Sequence, residues 1–318
     1  MIIDKKECLE FFLNNEEFLV ISHEHPDGDT LGCAFALCEI LKQMGKRRAF
    51  VCADEITGDF SFMTEGFVND ELSSPVRVSV DVADKNLFGK LPEDIIGNID
   101  LAIDHHMSHT VFADKVYLEN RAAACEIIYD LAKSLPVEIN RYMRNCLYTG
   151  ISTDTGCFRY NNTSALSFSI AAELMEAGID SARINKLMFE TKTKSFLKLE
   201  MLSRETLEYH FNEKCAVITV NQEMYKQSGS TEHECYPITA LPRQIEGVLV
   251  GVVIKEKEDG SFGISVRTDG DIDASEICAR LGGGGHKGAA GCRADCGYEE
   301  IKERILASVK KSLDGIDL

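Results

Sequence analysis

Two histidines and two aspartates fall within seven residues of the stretch ISHEHPDGDTLGCA, Ile21 to Ala34, directly after the apolar run FLVIS. A polar turn leading into a helix is one reading, with Pro26 and Gly28 as turn residues and Asp29 or Thr30 as N-cap. The other is half of a metal site, which requires further ligands at equivalent positions. In open α/β sheets, sites form outside the carboxyl ends of strands, so acidic and imidazole residues that follow apolar runs belong to one count. VRVSV leads to Asp81, LAI leads to Asp104, His105 and His106, and LYTGIST leads to Asp154. Each alone reads equally well as a loop cap, a turn cap or a surface histidine. Four such clusters after comparable runs read as one cation-binding centre at four strand ends.

The elements that must position them alternate along the first half of the chain. FLVIS is followed by a helical pattern from Thr30 to Met44, then by RRAFVCA, VRVSVDV and IDLAIDHH. Short apolar runs separated by helical spacing predict an α/β fold with a largely parallel sheet. Helical spacing resumes in AAACEIIYDLAKSL, RYMRNCLYTGI and SALSFSIAAELMEAG, the last ending at Gly178, a C-cap residue. The texture then changes: residues 186–211 are charged and helix-compatible and read as a helical linker. Beyond them CAVITV, GVLVGVVIKE and GSFGISVRT predict a smaller α/β sheet, with helices near Ala274–Leu281 and Tyr298–Lys311. The expected division is 1–185, 186–211 and 212–318. No internal repeat interrupts it.

Composition narrows the partners. Thirty-four Lys and Arg against 52 Asp and Glu give a formal charge of −18, the opposite of the basic footprint that grips long nucleic acid. Long-duplex binding is therefore not expected, and a polyanionic substrate must be met locally. No apolar run approaches a membrane span and the N-terminus shows no signal-peptide pattern, so the expected location is cytoplasmic. The 12 cysteines are scattered without a C-x-x-C pair, which reads as reduced core thiols. Cys292 and Cys296 with His286 fit zinc spacing poorly.

Late in the chain GGGGHKGAAG, Gly282 to Gly291, exceeds a simple hinge, because a His-x-x-Ala-Ala-Gly sequence follows the glycines. Glycines let consecutive backbone N–H groups approach a phosphate, and His286 adds a donor.

Taken together these stretches resemble the DHH phosphoesterase superfamily, named for its Asp-His-His triplet. His23, Asp27 and Asp29 match its first motif, Asp81 in SVDVAD the second, DHH at 104–106 the third and STDTG at 152–156 the fourth. GISVRT and GGGGHKGAAG resemble the DHH-associated domain. Val82 stands where threonine is usual, and AAACE at 122–126 has alanine where the family often has serine or threonine before Glu126. By this resemblance one metal takes His23, Asp27 and Asp81 and the other takes Asp29, Asp81, His105 and Asp154, with Asp81 bridging. His106 would face substrate and either stabilise the transition-state charge or protonate the leaving oxygen, and Asp104 would orient its neighbours. His25 and His109 match no ligand position and read as local polar residues. Oxygen and nitrogen ligands without thiolate suit Mn²⁺, with Mg²⁺ or Co²⁺ as alternatives. The resemblance also implies that Arg267, His286 and the amides of Gly283, Gly284 and Gly285 bind a terminal phosphate, with Arg243 alongside.

The order of domains resembles the nanoRNase group, which implies hydrolysis of short 5′-phosphorylated oligonucleotides or of pAp. A phosphodiesterase for linear dinucleotides such as pApA remains an alternative, and a RecJ-like exonuclease is a more distant one. An inorganic pyrophosphatase would lack the glycine motif, and a catalytically dead nucleotide sensor would lack ligands. A homo-oligomer is compatible with all of these.

Overall fold

The computed structural model describes residues 1–56 and 58–314, apart from the side chains of His233, Tyr236 and His286. The chain divides into two compact units, Met1–Thr191 and Lys192–Leu318.

In the first unit α1 (Lys5–Asn14), β1 (Glu17–Ile21), α2 (Gly28–Gln43), β2 (Arg47–Val51), α3 (Ser61–Thr64), β3 (Val76–Val80), α4 (Glu93–Ile96), β4 (Leu101–Asp104), β5 (Lys115–Leu118), α5 (Ala124–Ser134), α6 (Arg141–Asp154), α7 (Ala165–Glu176) and α8 (Ser181–Asn185) follow in order. The five strands form one parallel sheet in the order β2-β1-β3-β4-β5. Its central strands β1, β3 and β4 are buried on both faces toward their carboxyl ends, as crossover helices require, so Val20, Ile21, Val78, Val80, Ala102 and Ile103 lie in apolar runs. Helix α2 is buried almost all round because α5 and α6 pack against it. The approach is close: a Cβ at Gly32 would meet the Cys146 carbonyl at 2.6 Å, and one at Gly150 would meet Asp29 Oδ1 at 2.7 Å. Glycine at these two positions lets the helix bearing Asp29 lie against the helix bearing Asp154.

The second unit holds α9 (Lys194–Arg204), β6 (Glu208–His210), β7 (Cys215–Val220), α10 (Gln222–Ser228), β8 (Val250–Glu256), β9 (Phe262–Thr268), α11 (Ala274–Ala279), β10 (Gly284–His286), β11 (Ala289–Ala294) and α12 (Tyr298–Leu313). Its six strands run β10-β11-β9-β8-β7-β6, with only β7 and β8 parallel. Val250, Val252, Ile254, Ile264 and Val266 pack on one face against Ile277, Ile301, Ile305 and Val309 of α11 and α12. Val253 and Ile218 pack on the other face against Phe196 and Leu199 of α9.

The segment read as a helical linker is not helical throughout. It contains a π-helical turn at Lys186–Glu190, the unit boundary at Thr191, all of α9, and finally β6, which pairs Glu208 with Val217. Edge pairing with β7 overrides the helix-compatible composition there. All twelve cysteines are free, and among the described residues no helix is long and apolar enough to cross a membrane.

Candidate metal centre

Because β1, β3 and β4 are neighbours in the sheet, their carboxyl ends deliver His23, Asp81 and the triplet Asp104–His106 to one edge. Helix α2 starts there and brings Asp27 and Asp29. Two local expectations are corrected. The N-cap of α2 is Asp27, not Asp29 or Thr30: its Oδ1 accepts from the N–H groups of Asp29 (3.0 Å) and Thr30 (3.1 Å). Asp154 ends α6 rather than a strand, since LYTGIST continues a helix whose Cys146, Leu147 and Ile151 are buried. The four clusters therefore converge from three strand ends, the start of α2 and the end of α6.

The six residues expected as ligands fall in two neighbouring groups, His23/Asp27/Asp81 and Asp29/His105/Asp154, linked by a third that contains Asp81 and His105. His23 Nε2 lies 3.9 Å from Asp27 Oδ1 and 3.8 Å from Asp81 Oδ2. His105 Nε2 lies 3.4 Å from Asp81 Oδ1, 3.7 Å from Asp154 Oδ2 and 4.0 Å from Asp29 Oδ2. The two oxygens of Asp81 thus face different imidazoles. Its backbone has φ of 58°, a left-handed conformation that disfavours a residue with a Cβ. The strained backbone thus belongs to the residue whose carboxylate faces both groups.

Two features test whether this donor set fits divalent cations. His23 Nδ1 is 2.7 Å from the Glu24 carbonyl and His105 Nδ1 is 3.0 Å from that of Arg121. A carbonyl only accepts, so each Nδ1 carries the proton and each Nε2 is left to ligate, the arrangement typical of metal-bound histidine. Asp81 Oδ1 is buried and has no hydrogen-bond partner among the described residues. Both observations fit the pair of cations.

Electrostatics point the same way. Burial opposes charge on His105, but the adjacent Asp81 carboxylate and the charges of Asp29 and Asp154 outweigh it and raise the imidazole to about 11. His23 rises to about 9 against the same burial penalty, through Asp81 and Asp27. Burial and then the Asp29 charge push Asp154 up to about 9, while burial and the Asp81 charge push Asp29 to about 7. Asp81 is also buried, yet the adjacent imidazoles of His105 and His23 hold it below the usual carboxylate range. The edge holds protons where divalent charge would replace them.

Behind Asp29, Ala124 N–H donates to its Oδ2 (2.6 Å) and Cys125 N–H to its Oδ1 (2.9 Å). Helix α5 has no side-chain cap of its own at Ala123, so Asp29 supplies what the missing serine or threonine would. Glu126 is buried and accepts from Ser167 Oγ at 2.6 Å. Cys33 and Cys125 also approach Asp29, but burial raises both thiols and keeps them protonated.

Asp104 is fully buried and lies in a further ligand-type group with Asp81, His105 and His106. Its Oδ1 accepts from His106 Nδ1 (2.8 Å) and from the N–H of His105 (2.8 Å), and its Oδ2 accepts from His109 Nδ1 (2.7 Å). His109, read from the sequence as a local polar residue, has a completely buried side chain in this network. Its position five residues after Asp104, across a tight turn in which His109 N–H donates to the His106 carbonyl, was the available signal. His25 instead pairs with Asp54 at 2.6 Å.

In the second unit, cross-strand register sets the expected phosphate-binding residues in one row. Arg267 pairs with Gly251 on β8 and Ala289 on β11, and Ala289 pairs with His286 on β10. A Cβ at Gly251 would meet the Arg243 nitrogen at 2.7 Å, so the turn carrying Arg243 rests on the same row. Gly285 has φ of 145°, and a Cβ at Gly283 would strike the Gly291 carbonyl at 2.2 Å; both require glycine, whereas Gly284 has open space. The His286 side chain lies outside the described residues.

Residues 17–151 match the model of the DHH family, N-terminal domain, and residues 213–314 that of the DHHA1 domain. The chain is 30% identical over 305 residues to the bifunctional oligoribonuclease and PAP phosphatase NrnA of Thermus thermophilus, covering 92% of this chain and 89% of that one. It is 23% identical to the cyclic-di-AMP phosphodiesterase GdpP of Geobacillus thermodenitrificans, over 96% of this chain and 49% of that one. An exopolyphosphatase-related protein from Bacteroides fragilis shares the fold, with a TM-score of 0.88 at 20% identity over 96% of this chain and 95% of that one. On these matches the chain belongs to the DHH family, in the group that contains the NrnA proteins.

Proposed function

We propose that the protein is a Mn²⁺-dependent phosphoesterase that hydrolyses short 5′-phosphorylated oligonucleotides, pAp, or both, to mononucleotides. The observation that carries this reading is the Asp81 carboxylate, strained and buried, with one oxygen toward each of two nitrogen-and-oxygen ligand groups. His23, Asp27 and Asp81 hold one cation, and Asp29, Asp81, His105 and Asp154 the other. When bound, such a pair supplies Lewis-acid activation of water and neutralises charge on the phosphoryl oxygens. Asp104 fixes the His106 ring through Nδ1. Burial disfavours the charged ring, but that hydrogen bond and the Asp81 charge outweigh it and raise His106, which favours the imidazolium able to protonate a leaving oxygen. Arg267, the amides of Gly283–Gly285, His286 and Arg243 hold the terminal phosphate.

The second reading, a phosphodiesterase for linear dinucleotides such as pApA, is favoured by similarity to GdpP along nearly the whole chain. Rates on pAp, pApA, short 5′-phosphorylated RNA and long single-stranded DNA, with Mn²⁺ and with chelator, test both. Preference for pApA over pAp and short RNA selects the second. Equal rates on long strands, or full turnover of metal-stripped protein, defeat both.

A further inference from the structure

His109 does something a core residue has no reason to do. Its side chain is fully buried and its Nδ1 is 2.7 Å from Asp104 Oδ2. A carboxylate oxygen accepts, so Nδ1 carries a proton. Its Nε2 is buried without a hydrogen-bond partner among the described residues, and the ring rests against Phe112 at 5.1 Å between centroids. A leucine would remove an unsatisfied nitrogen from an apolar surround, so packing alone argues against histidine here. The polar contact with a consequence is the one to Asp104.

Asp104 divides its two oxygens. Oδ1 takes His106 Nδ1 and the N–H groups of His105 and His106, and Oδ2 takes His109 alone among the hydrogen bonds in which it acts as acceptor. Without a donor at Oδ2 the carboxylate is held from the Oδ1 side alone, and its plane, and with it the angle at which it grips His106, is less tightly fixed. We infer that His109 is a positioning residue for His106, acting through Asp104: it clamps the far carboxylate oxygen and so fixes the ring that faces the phosphoester. This rests on the role proposed for His106, and it extends the site by a residue outside the family's ligand motifs.

The test uses the full chain with labelled histidine nitrogens and two variants. His109→Asn places an amide N–H where Nδ1–H stood; His109→Leu removes the donor. In wild type the NMR spectrum should show His109 with Nδ1 protonated. His109→Leu should lower kcat roughly tenfold, the scale for loss of an orienting partner, with KM and bound Mn²⁺ unchanged and thermal stability no lower. Its His106 nitrogen signals should shift or broaden, and His109→Asn should restore both kcat and those signals. An Nε2-protonated His109 in wild type, undisturbed His106 signals in His109→Leu, equal losses in the two variants, or lost metal would each overturn the inference. If His109→Leu does not fold, the wild-type tautomer and the His109→Asn rate decide. A wild-type protein inactive on every phosphoester would defeat the proposed function, and the His106 signals would still decide the clamp.

Discussion

In the first unit the functional atoms are side-chain atoms gathered from three strand ends and two helix ends, with charges 3.4 to 4.0 Å apart. In the second unit the candidate surface is mostly backbone, a row of glycine and alanine positions flanked by Arg267. The contrast follows from what each surface would bind. A small divalent cation demands several anionic oxygens at once, and those oxygens repel each other until charge is supplied, so every member depends on every other. A phosphate is large and needs many modest donors, each close and none decisive, which glycine amides provide. Substitutions should therefore act collectively in the first unit and gradually in the second.

The largest expected effect is at the shared carboxylate. Asp81→Asn removes one charge from both ligand groups and should lower kcat by roughly a thousandfold or more, on the scale of losing two-metal activation. Bound Mn²⁺ should fall from two per chain toward one or none, as read by elemental analysis. Wild-type turnover in this variant would show that Asp81 does not join the two groups. Loss of a single outer member, such as Asp27, whose carboxylate is exposed, should be milder.

Arg267→Ala should separate the units. Losing a charged hydrogen bond costs about 1.5–3 kcal/mol, so KM for a phosphorylated dinucleotide should rise roughly ten- to a hundredfold. Bound metal and kcat on a generic phosphodiester without a terminal phosphate should stay unchanged. Equal loss on both substrates would place Arg267 in the chemistry. Gly283→Ala should shift KM in the same direction, because its Cβ would collide with the Gly291 carbonyl. Gly284→Ala, with open space around it, should shift KM less, and the reverse order would reject an amide-lined pocket.

The first unit was the more legible from sequence, for a physical reason. A parallel strand buried on both faces is an unbroken apolar run, so the residue that ends it announces the sheet edge; His23, Asp81 and Asp104–His106 were found this way. Asp154 was found by the motif, but its element was misread, because a helix buried on one side and a strand can present similar short apolar runs. Asp27 was read as ligand alone although one of its oxygens also caps α2. His109 was missed because nothing in its neighbours reports burial. In the second unit the row joining Arg267, Ala289 and His286 depends on antiparallel register between strands, which no local pattern specifies.

The smallest effect is in stability, and its sign distinguishes a site held by protons from one held by other charges. Asp154 at about 9 and Asp29 at about 7 stand above their unfolded value of about 3.9. The native state therefore binds more protons than the unfolded chain between about pH 4 and pH 9, and stability must fall as pH rises through that range. His105, at about 11, contributes fully below its unfolded value of about 6.5 and loses that contribution as pH rises through its folded value, the same direction. Asp81, held low, acts only below about pH 4, where its contribution is lost as pH falls. Metal-free protein should thus melt at progressively lower temperature from about pH 5 to pH 9, by a few degrees in all. Mn²⁺ replaces the protons, so the rise in Tm on adding it should grow with pH across the same window. Scanning calorimetry with chelator and with Mn²⁺ at several pH values reads both trends. A metal-free protein that gains stability with pH, or a Mn²⁺ shift that ignores pH, would mean that these carboxylates do not share protons and that the two groups are not poised for cations.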